Sequence, residues 1–246
     1  SATRRSPDRP GSARFRVMDR DVITPITRSS MDDAANRRAE WHAYHSEKRI
    51  GQQWMQINLL AGLEVSRILE VGPYLGLVTA MLDNAGYDVS TLDLFEPPFE
   101  KPQRPHIKAD LTSFEPETIA GFDVILCCET LEHLSWDDAL PVLTKFHDSG
   151  ARYLVLSVPY EGFQLGWSVY LNPFTWRHAF ALKKLRGGKT FKVHDDPWGH
   201  KWELGYKGYP VKRWEALIEA SGWKIRQRDF THPCRSVFHL CERALD

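Results

Sequence analysis

The sequence predicts an α/β protein: a mostly parallel sheet with helices on both faces, a helical extension ahead of it and a segment inserted after the fifth strand. Three observations carry that expectation. From residue 66 onward, short apolar runs alternate with helical stretches, the rhythm of successive βα units. The first run, Ile68-Leu-Glu-Val71, passes directly into a glycine turn, Gly72-Pro-Tyr-Leu-Gly76. Acidic residues then stand at the ends of successive runs, where open α/β sheets bind their ligands.

Taken in order, Arg67–Val71 reads as the first strand and Leu75–Ala85 as a helix ended by Gly86. Tyr87–Asp93, His106–Asp110, Phe122–Cys128 and Arg152–Val158 are the next four strands, with a helix over Trp136–Phe146 before the last of them. A proline-started helix, Pro210–Ser221, is closed by Gly222. Trp223–Phe230 and Ser236–Cys241 then make a closing pair, giving seven strands in all. Ahead of the sheet, one long helix is expected from about residue 31 to Leu60, capped by Asp33. Its Ala39, Trp41, Tyr44, Ile50, Trp54 and Ile57 suit packing on the core, so residues 31–64 form an N-terminal helical segment. Residues 1–30 carry Arg4, Arg5, Arg9, Arg14, Arg16, Arg20 and Arg28 against Asp8, Asp19 and Asp21, and read as a basic flexible arm. Residues 65–246 are the main domain, interrupted at 160–209 by a segment rich in aromatics and Lys/Arg. That insertion is expected to lie as a substrate lid over the strand ends, because it follows the fifth strand directly.

Composition narrows the function classes. Lys+Arg and Asp+Glu both number 32, so the formal charge is zero and the surface as a whole is not built to grip nucleic acid. Hydrophobic residues at 42% exclude a disordered chain. No apolar run approaches the ~20 residues of a membrane span, and the first residues lack the apolar core of a secretory signal. The four cysteines, Cys127, Cys128, Cys234 and Cys241, include no C-x-x-C pair, and adjacent residues of a strand face opposite ways. Free thiols in a reducing, cytoplasmic setting are the expectation.

The glycine turn is the sharpest local signal. A strand-turn-helix of this kind brings backbone close to a ligand and aims helix-terminal N–H groups at it. A dinucleotide site would want glycine at 72, 74 and 77, but 74 is Tyr and 77 is Leu. Instead an acid, Glu70, stands two residues before Gly72, and Gly76 closes the turn. Asp93 ends the second strand, placed for ribose hydroxyls, and Asp110 ends the third, placed for an adenine amino group. So acidic a rim suits a neutral or cationic adenosine derivative and repels a pyrophosphate.

This arrangement resembles the class I S-adenosylmethionine-dependent methyltransferases over roughly residues 66–160 and 210–243. The resemblance implies their Rossmann-like seven-stranded fold, and a cofactor site of Glu70, Gly72, Pro73, Tyr74, Gly76, Asp93, Leu94, Asp110, Leu111, Cys128 and Glu129. In that family the turn wraps the methionine part, the acid matching Asp93 holds the ribose, and the segment matching Ala109-Asp110-Leu111 sits at the adenine. Tyr74 departs from the pattern: it stands where the family's turn has its middle glycine.

The fourth strand runs into Cys128-Glu-Thr-Leu-Glu-His133. On a helical turn, Glu129, Glu132 and His133 share one face. Glu-His endings occur widely in methyltransferases of the ubiquinone O-methyltransferase type. The full Glu-x-x-Glu-His set also resembles the metal motif of small-RNA 2′-O-methyltransferases, which add a later His from a His-Lys-aromatic-Glu segment. Here His200-Lys-Trp-Glu203 matches it. Glu129, Glu132, His133 and His200 are thus candidate ligands for Mg²⁺ or Mn²⁺, and a metal-free site with His133 as base stands beside that reading. His200 and then His194 follow His133 as candidate bases.

Methyl transfer to oxygen of a small-molecule or glycan-like acceptor, anionic to match the basic insertion, is the leading expectation. RNA 2′-O-methylation and non-catalytic S-adenosylmethionine binding are the alternatives.

Overall fold

The computed structural model describes residues 33–96, 105–183, 188–193, 196, 198–232 and 234–244. The arm at 1–30, His194, Lys184 and Arg186 lie outside the described residues.

β1 (Arg67–Val71) keeps the bounds expected of it, and α3 (Leu77–Asn84), β2 (Asp88–Asp93), β3 (His106–Lys108), β4 (Val124–Cys128), α4 (Trp136–Asp148) and β5 (Tyr153–Pro159) follow in alternation. After the insertion come α5 (Val211–Ala220), β8 (Trp223–Phe230) and β9 (Ser236–Arg243). The seven strands form one sheet in the order β3-β2-β1-β4-β5-β9-β8. All neighbours are parallel from β3 to β5, and β9 is antiparallel to both β5 and β8. The order reverses between β1 and β4, which opens a crevice at their carboxyl ends.

The strands are apolar on both faces because both are covered. On one face, Leu69, Val71, Ile125, Leu154 and Leu156 pack with Leu143 and Phe146 of α4 and Trp214 and Ile218 of α5. On the other, Ile68, Val124, Leu126 and Val155 pack with Leu59, Leu60, and Val78 and Leu82 of α3.

The expectations for the N-terminal helical segment are corrected. The N-terminal helix is two helices, α1 (Asp33–Tyr44) and α2 (Glu47–Asn58). The break falls at Ser46, whose extended backbone and hydroxyl, accepting from the Arg49 N–H at 3.4 Å, cap α2. Asp33, expected just ahead of the helix, is the first helical residue of α1. The buried side chains of α2 are Gln52 and Gln56, whereas Ile50 and Trp54 are exposed. The chain divides into two compact units, Ser1–Glu40 and Trp41–Asp246. The first has only the opening turns of α1 described; the sheet belongs to the second.

The aromatics of the insertion separate into two groups. Trp202 and Tyr209 enter the core beside Trp136 and Trp214, with the Trp202 indole donating to the Leu134 carbonyl at 3.2 Å. The others lie mostly on an antiparallel hairpin, β6 (Gln164–Asn172) and β7 (Thr175–Lys183), which forms a sheet of its own. Cross-strand partners share a face. Leu165 with Leu182, Trp167 with Phe180, Val169 with His178 and Leu171 with Trp176 build one side, and Tyr170 with Arg177 and Asn172 with Thr175 belong to the other.

Candidate functional site

The site grows from the crevice between β1 and β4. Glu70, one residue before the end of β1, is buried and its Oε2 accepts from Thr79 Oγ1 of α3 at 2.5 Å. A carboxylate is thereby fixed at the mouth of the glycine turn. Gly72 has φ +72°, and a Cβ built there meets Thr130 Oγ1 at 2.7 Å, so the β1 and β4 loops touch only because residue 72 has no side chain. Gly76 (φ 71°) precedes α3. Tyr74, between them, also holds a left-handed φ of 45°. The turn therefore keeps the backbone that glycine would favour while carrying a tyrosine, whose ring packs 4.6 Å from Tyr44.

Asp93 and Asp110 stand at the same edge, at the ends of β2 and just past β3. The Ala109 N–H donates to the Asp93 carbonyl at 3.0 Å, which ties the two loops together. Each acid also orders its own turn: Asp93 Oδ1 accepts from Phe95 N at 3.1 Å, and Asp110 Oδ1 from Thr112 N and Oγ1, both at 2.8 Å. Leu94 is exposed, Leu111 is buried behind Asp110, and Cys128 is buried at the end of β4. The acids 70, 93 and 110 therefore line three adjacent strand ends, β1, β2 and β3.

Residues 129–133 do not form the helical turn expected of them. Glu129 has φ 52°, and only Leu131–His133 coil, as a single 3₁₀ turn. This backbone sends the two glutamates apart. Glu129 turns back over β5, where Ser157 Oγ donates to its Oε1 at 2.9 Å. Burial raises its carboxyl above the ordinary value; the bond from Ser157, the charge of Arg235 and bonds from Ser236 and Gln52 pull it back. Gln52 in turn donates to Ser236 Oγ at 3.0 Å.

Glu132 goes the other way, wholly buried, and among the described residues neither carboxylate oxygen has a hydrogen-bond partner. Burial first, and the Glu129 charge second, push its carboxyl well above the ordinary range. His200 Nε2 is 3.9 Å from Glu132 Oε1, and the His133 and His200 rings meet edge to face at 5.0 Å. One ligand atom from each of Glu132, His133 and His200 lies within 4.8 Å of the others. Glu129, the fourth residue of the expected set, is not brought together with them. His133 Nδ1 is 2.6 Å from the Trp198 carbonyl, an acceptor only, so this nitrogen carries the proton and Nε2 the lone pair. His200 Nδ1 is 2.8 Å from Glu203 Oε1, which leaves its Nε2 toward Glu132 in the same way. An imidazole whose far N–H is held by a carbonyl or carboxylate is the usual second contact of a metal-ligating histidine. Burial, then the neighbouring His200, lowers the His133 pKa, which keeps the ring neutral. The residues fit a divalent cation: a carboxylate with both oxygens free, and two imidazoles presenting lone pairs.

The residues that sequence reasoning missed are Gln52, Thr130, Ser157, Ser236 and Arg235, all around Glu129 or Gly72. Gln52 and Gln56 did leave a trace, two amides four residues apart in an otherwise amphipathic helix.

No protein-family model and no curated protein sequence matches this chain. Solved structures do match its fold. It is similar to a Burkholderia thailandensis 1,6-didemethyltoxoflavin-N1-methyltransferase bound to its substrate and S-adenosylhomocysteine, with 16% identity and TM-score 0.56, covering 91% of this chain and 94% of that one. It is also similar to the magnesium protoporphyrin IX methyltransferase of Synechocystis PCC 6803 with bound S-adenosylhomocysteine, at 13% identity and TM-score 0.54, over 87% and 96% of the two chains. A glycopeptide N-methyltransferase complexed with the same product matches at 13% identity and TM-score 0.54, over 81% and 91%. The fold is the Rossmann-like fold of the S-adenosylmethionine-dependent methyltransferases.

Proposed function

We propose that this protein is an S-adenosylmethionine-dependent methyltransferase that methylates a hydroxyl oxygen of a small-molecule or glycan-like acceptor, assisted by Mg²⁺ or Mn²⁺. The observation that carries the methyltransferase reading is the line of acids Glu70, Asp93 and Asp110 across three neighbouring strand ends, beside a glycine turn, in a fold whose solved relatives hold S-adenosylhomocysteine. Asp93 accepts from the ribose hydroxyls and Asp110 from the adenine amino group, with Leu94 and Leu111 against the base. Gly72, Pro73, Tyr74 and Gly76 give the backbone surface for the methionine part, and Glu129 and Cys128 close its far end. When bound, the cofactor supplies a sulfonium methyl group reactive enough that the protein need chiefly align it and exclude water.

An alcohol acceptor must also lose its proton, and Glu132, His133 and His200 supply the means. They would hold the cation, which lowers the pKa of a hydroxyl bound to it. Trp198 and Glu203 fix the two imidazoles that do so. The reading is supported by the orphaned Glu132 carboxylate beside two lone-pair-bearing imidazoles. The same cluster favours a second reading, a ribose diol at an RNA 3′ end, since it contains three of the four residues of that metal motif.

The test is methyl transfer from labelled S-adenosylmethionine to a panel of hydroxylated metabolites, oligosaccharides and short RNA. The expected result is turnover with a non-nucleic-acid hydroxyl, abolished by chelator and restored by Mn²⁺. Turnover unchanged in chelator removes the cation from the account, and turnover confined to RNA replaces the acceptor.

A further inference from the structure

The β6–β7 hairpin is built like a surface anchor. Two strands of nine residues, each about 30 Å long at ~3.3 Å per residue, stand as a sheet with no other strand against it among the described residues. One face carries seven apolar side chains and a single polar one, His178 opposite Val169, and Trp167 (76%), Trp176 (63%) and Phe180 (65%) are exposed along it. These three rings alone present on the order of 400 Å², which already matches the largest apolar patch of an ordinary monomer. At the tip, Phe174 is 97% exposed. A contiguous apolar patch of that size is commonly a site of interaction.

Charge selects the occupant. From residue 162 to 194 the chain has Arg177, Lys183, Lys184, Arg186, Lys189 and Lys192 and no Asp or Glu, in a chain whose total is zero. A second copy seated on this face would bring two such segments together, and like charges across an interface disfavour it. A single-stranded nucleic acid wants cations interleaved with the rings. Here Arg177 lies opposite Tyr170 on the other face, and four of the seven apolar residues are aliphatic and cannot stack on bases. An anionic bilayer satisfies both features, with apolar residues entering the headgroup boundary and each nearby Lys or Arg adding to the attraction. Indole rings favour that boundary in particular.

We propose that the hairpin docks this protein on an anionic phospholipid surface, with the Trp167–Trp176–Phe180 face inserted and Lys189 and Lys192 against lipid phosphates. Among the described residues no helix is long and apolar enough to cross a membrane, so the attachment is peripheral. It begins five residues beyond the end of β5, close to the carboxyl edge that carries the site, so a docked molecule presents that edge near the lipid surface.

The test is co-sedimentation of the full chain with vesicles of phosphatidylcholine alone, or with about one-third phosphatidylglycerol. We expect partition into the anionic vesicles only, with a blue-shifted tryptophan emission, weakening between about 0.1 and 0.5 M salt. Combined Trp167→Ser, Trp176→Ser and Phe180→Ser should lower partition at least about tenfold, and Lys189→Glu with Lys192→Glu should lower it less, while melting temperature and S-adenosylhomocysteine affinity hold. Equal partition of wild type and the triple variant overturns the proposal. So does a wild-type dimer, seen by light scattering and lost in the triple variant, that ignores vesicles, or retention on oligouridine without vesicle partition.

Discussion

Glu129 and Glu132 stand three residues apart at one strand end, and their surroundings are opposites. Glu129 sits in a ready-made set of donors: Ser157, Ser236, Gln52 and the charge of Arg235. Glu132 is deeper and, among the described residues, neither of its oxygens has a hydrogen-bond partner. A buried carboxylate is normally satisfied by protein groups, because leaving it unpaired costs several kcal/mol. The first glutamate follows that rule and the second breaks it beside two oriented imidazoles. The contrast teaches that the loop separates an internally completed wall from a carboxyl that, on the proposed reading, is completed by an outside partner.

Replacing each glutamate by leucine should pull the two apart. Glu132→Leu is expected to lower kcat/KM at least about 100-fold and yet to raise the unfolding free energy in chelator by about 1–3 kcal/mol, since two orphaned oxygens go. Glu129→Leu should lower that free energy by about 1–3 kcal/mol, because Ser157 and Arg235 lose their acceptor. Urea titration of both in chelator checks this; the same sign for both would erase the distinction.

Gly72→Ala strikes the point where the two loops meet. Its Cβ meets Thr130 Oγ1 at 2.7 Å on a backbone of φ +72°, so a loss of about 2–3 kcal/mol and weaker cofactor binding are expected, read by melting curves and calorimetry.

The pH dependence follows from the raised carboxyl of Glu132. Its folded form keeps a proton that the unfolded chain has released above its ordinary value near 4.5. Stability in chelator should therefore fall as pH rises, by at most about 1.4 kcal/mol per unit for one proton. His133 and His239 are lowered by burial and act in the opposite sense, but only below their ordinary value near 6.5. Melting temperatures between pH 6.5 and about 8 thus isolate the carboxyls, since the buried thiols of Cys127, Cys128 and Cys241, also raised by burial, act in the same sense only above that range, and Glu132→Leu should flatten the slope there.

Tyr74→Gly should do least. It relieves a left-handed φ worth roughly 1–2 kcal/mol, but loses the Tyr44 contact and adds glycine's backbone freedom of about 0.5–1 kcal/mol. A net change within about 1 kcal/mol is expected in urea titration.

The sheet was legible because each buried strand is a continuous apolar run bounded by turn residues; β1 and β8 begin and end where the sequence places them. The acids at 70, 93 and 110 were legible because strand ends are fixed by the same runs. Helix α2 was not. Hydrophobic periodicity assigns Ile50 and Trp54 to the core, whereas Gln52 and Gln56 are buried because one of them completes the Glu129 pocket through Ser236, 184 residues away. Nor could a helical reading of Glu-x-x-Glu-His foresee a positive φ at Glu129, which depends on the contact with β5 and divides the motif between two pockets.

The most direct test of the central claim is calorimetric titration of S-adenosylhomocysteine into the wild type and Asp93→Ala. The account predicts micromolar binding to the wild type, without added metal, and at least about tenfold weaker binding to the variant. No heat of binding at millimolar ligand, or equal affinity in the two proteins, would contradict it.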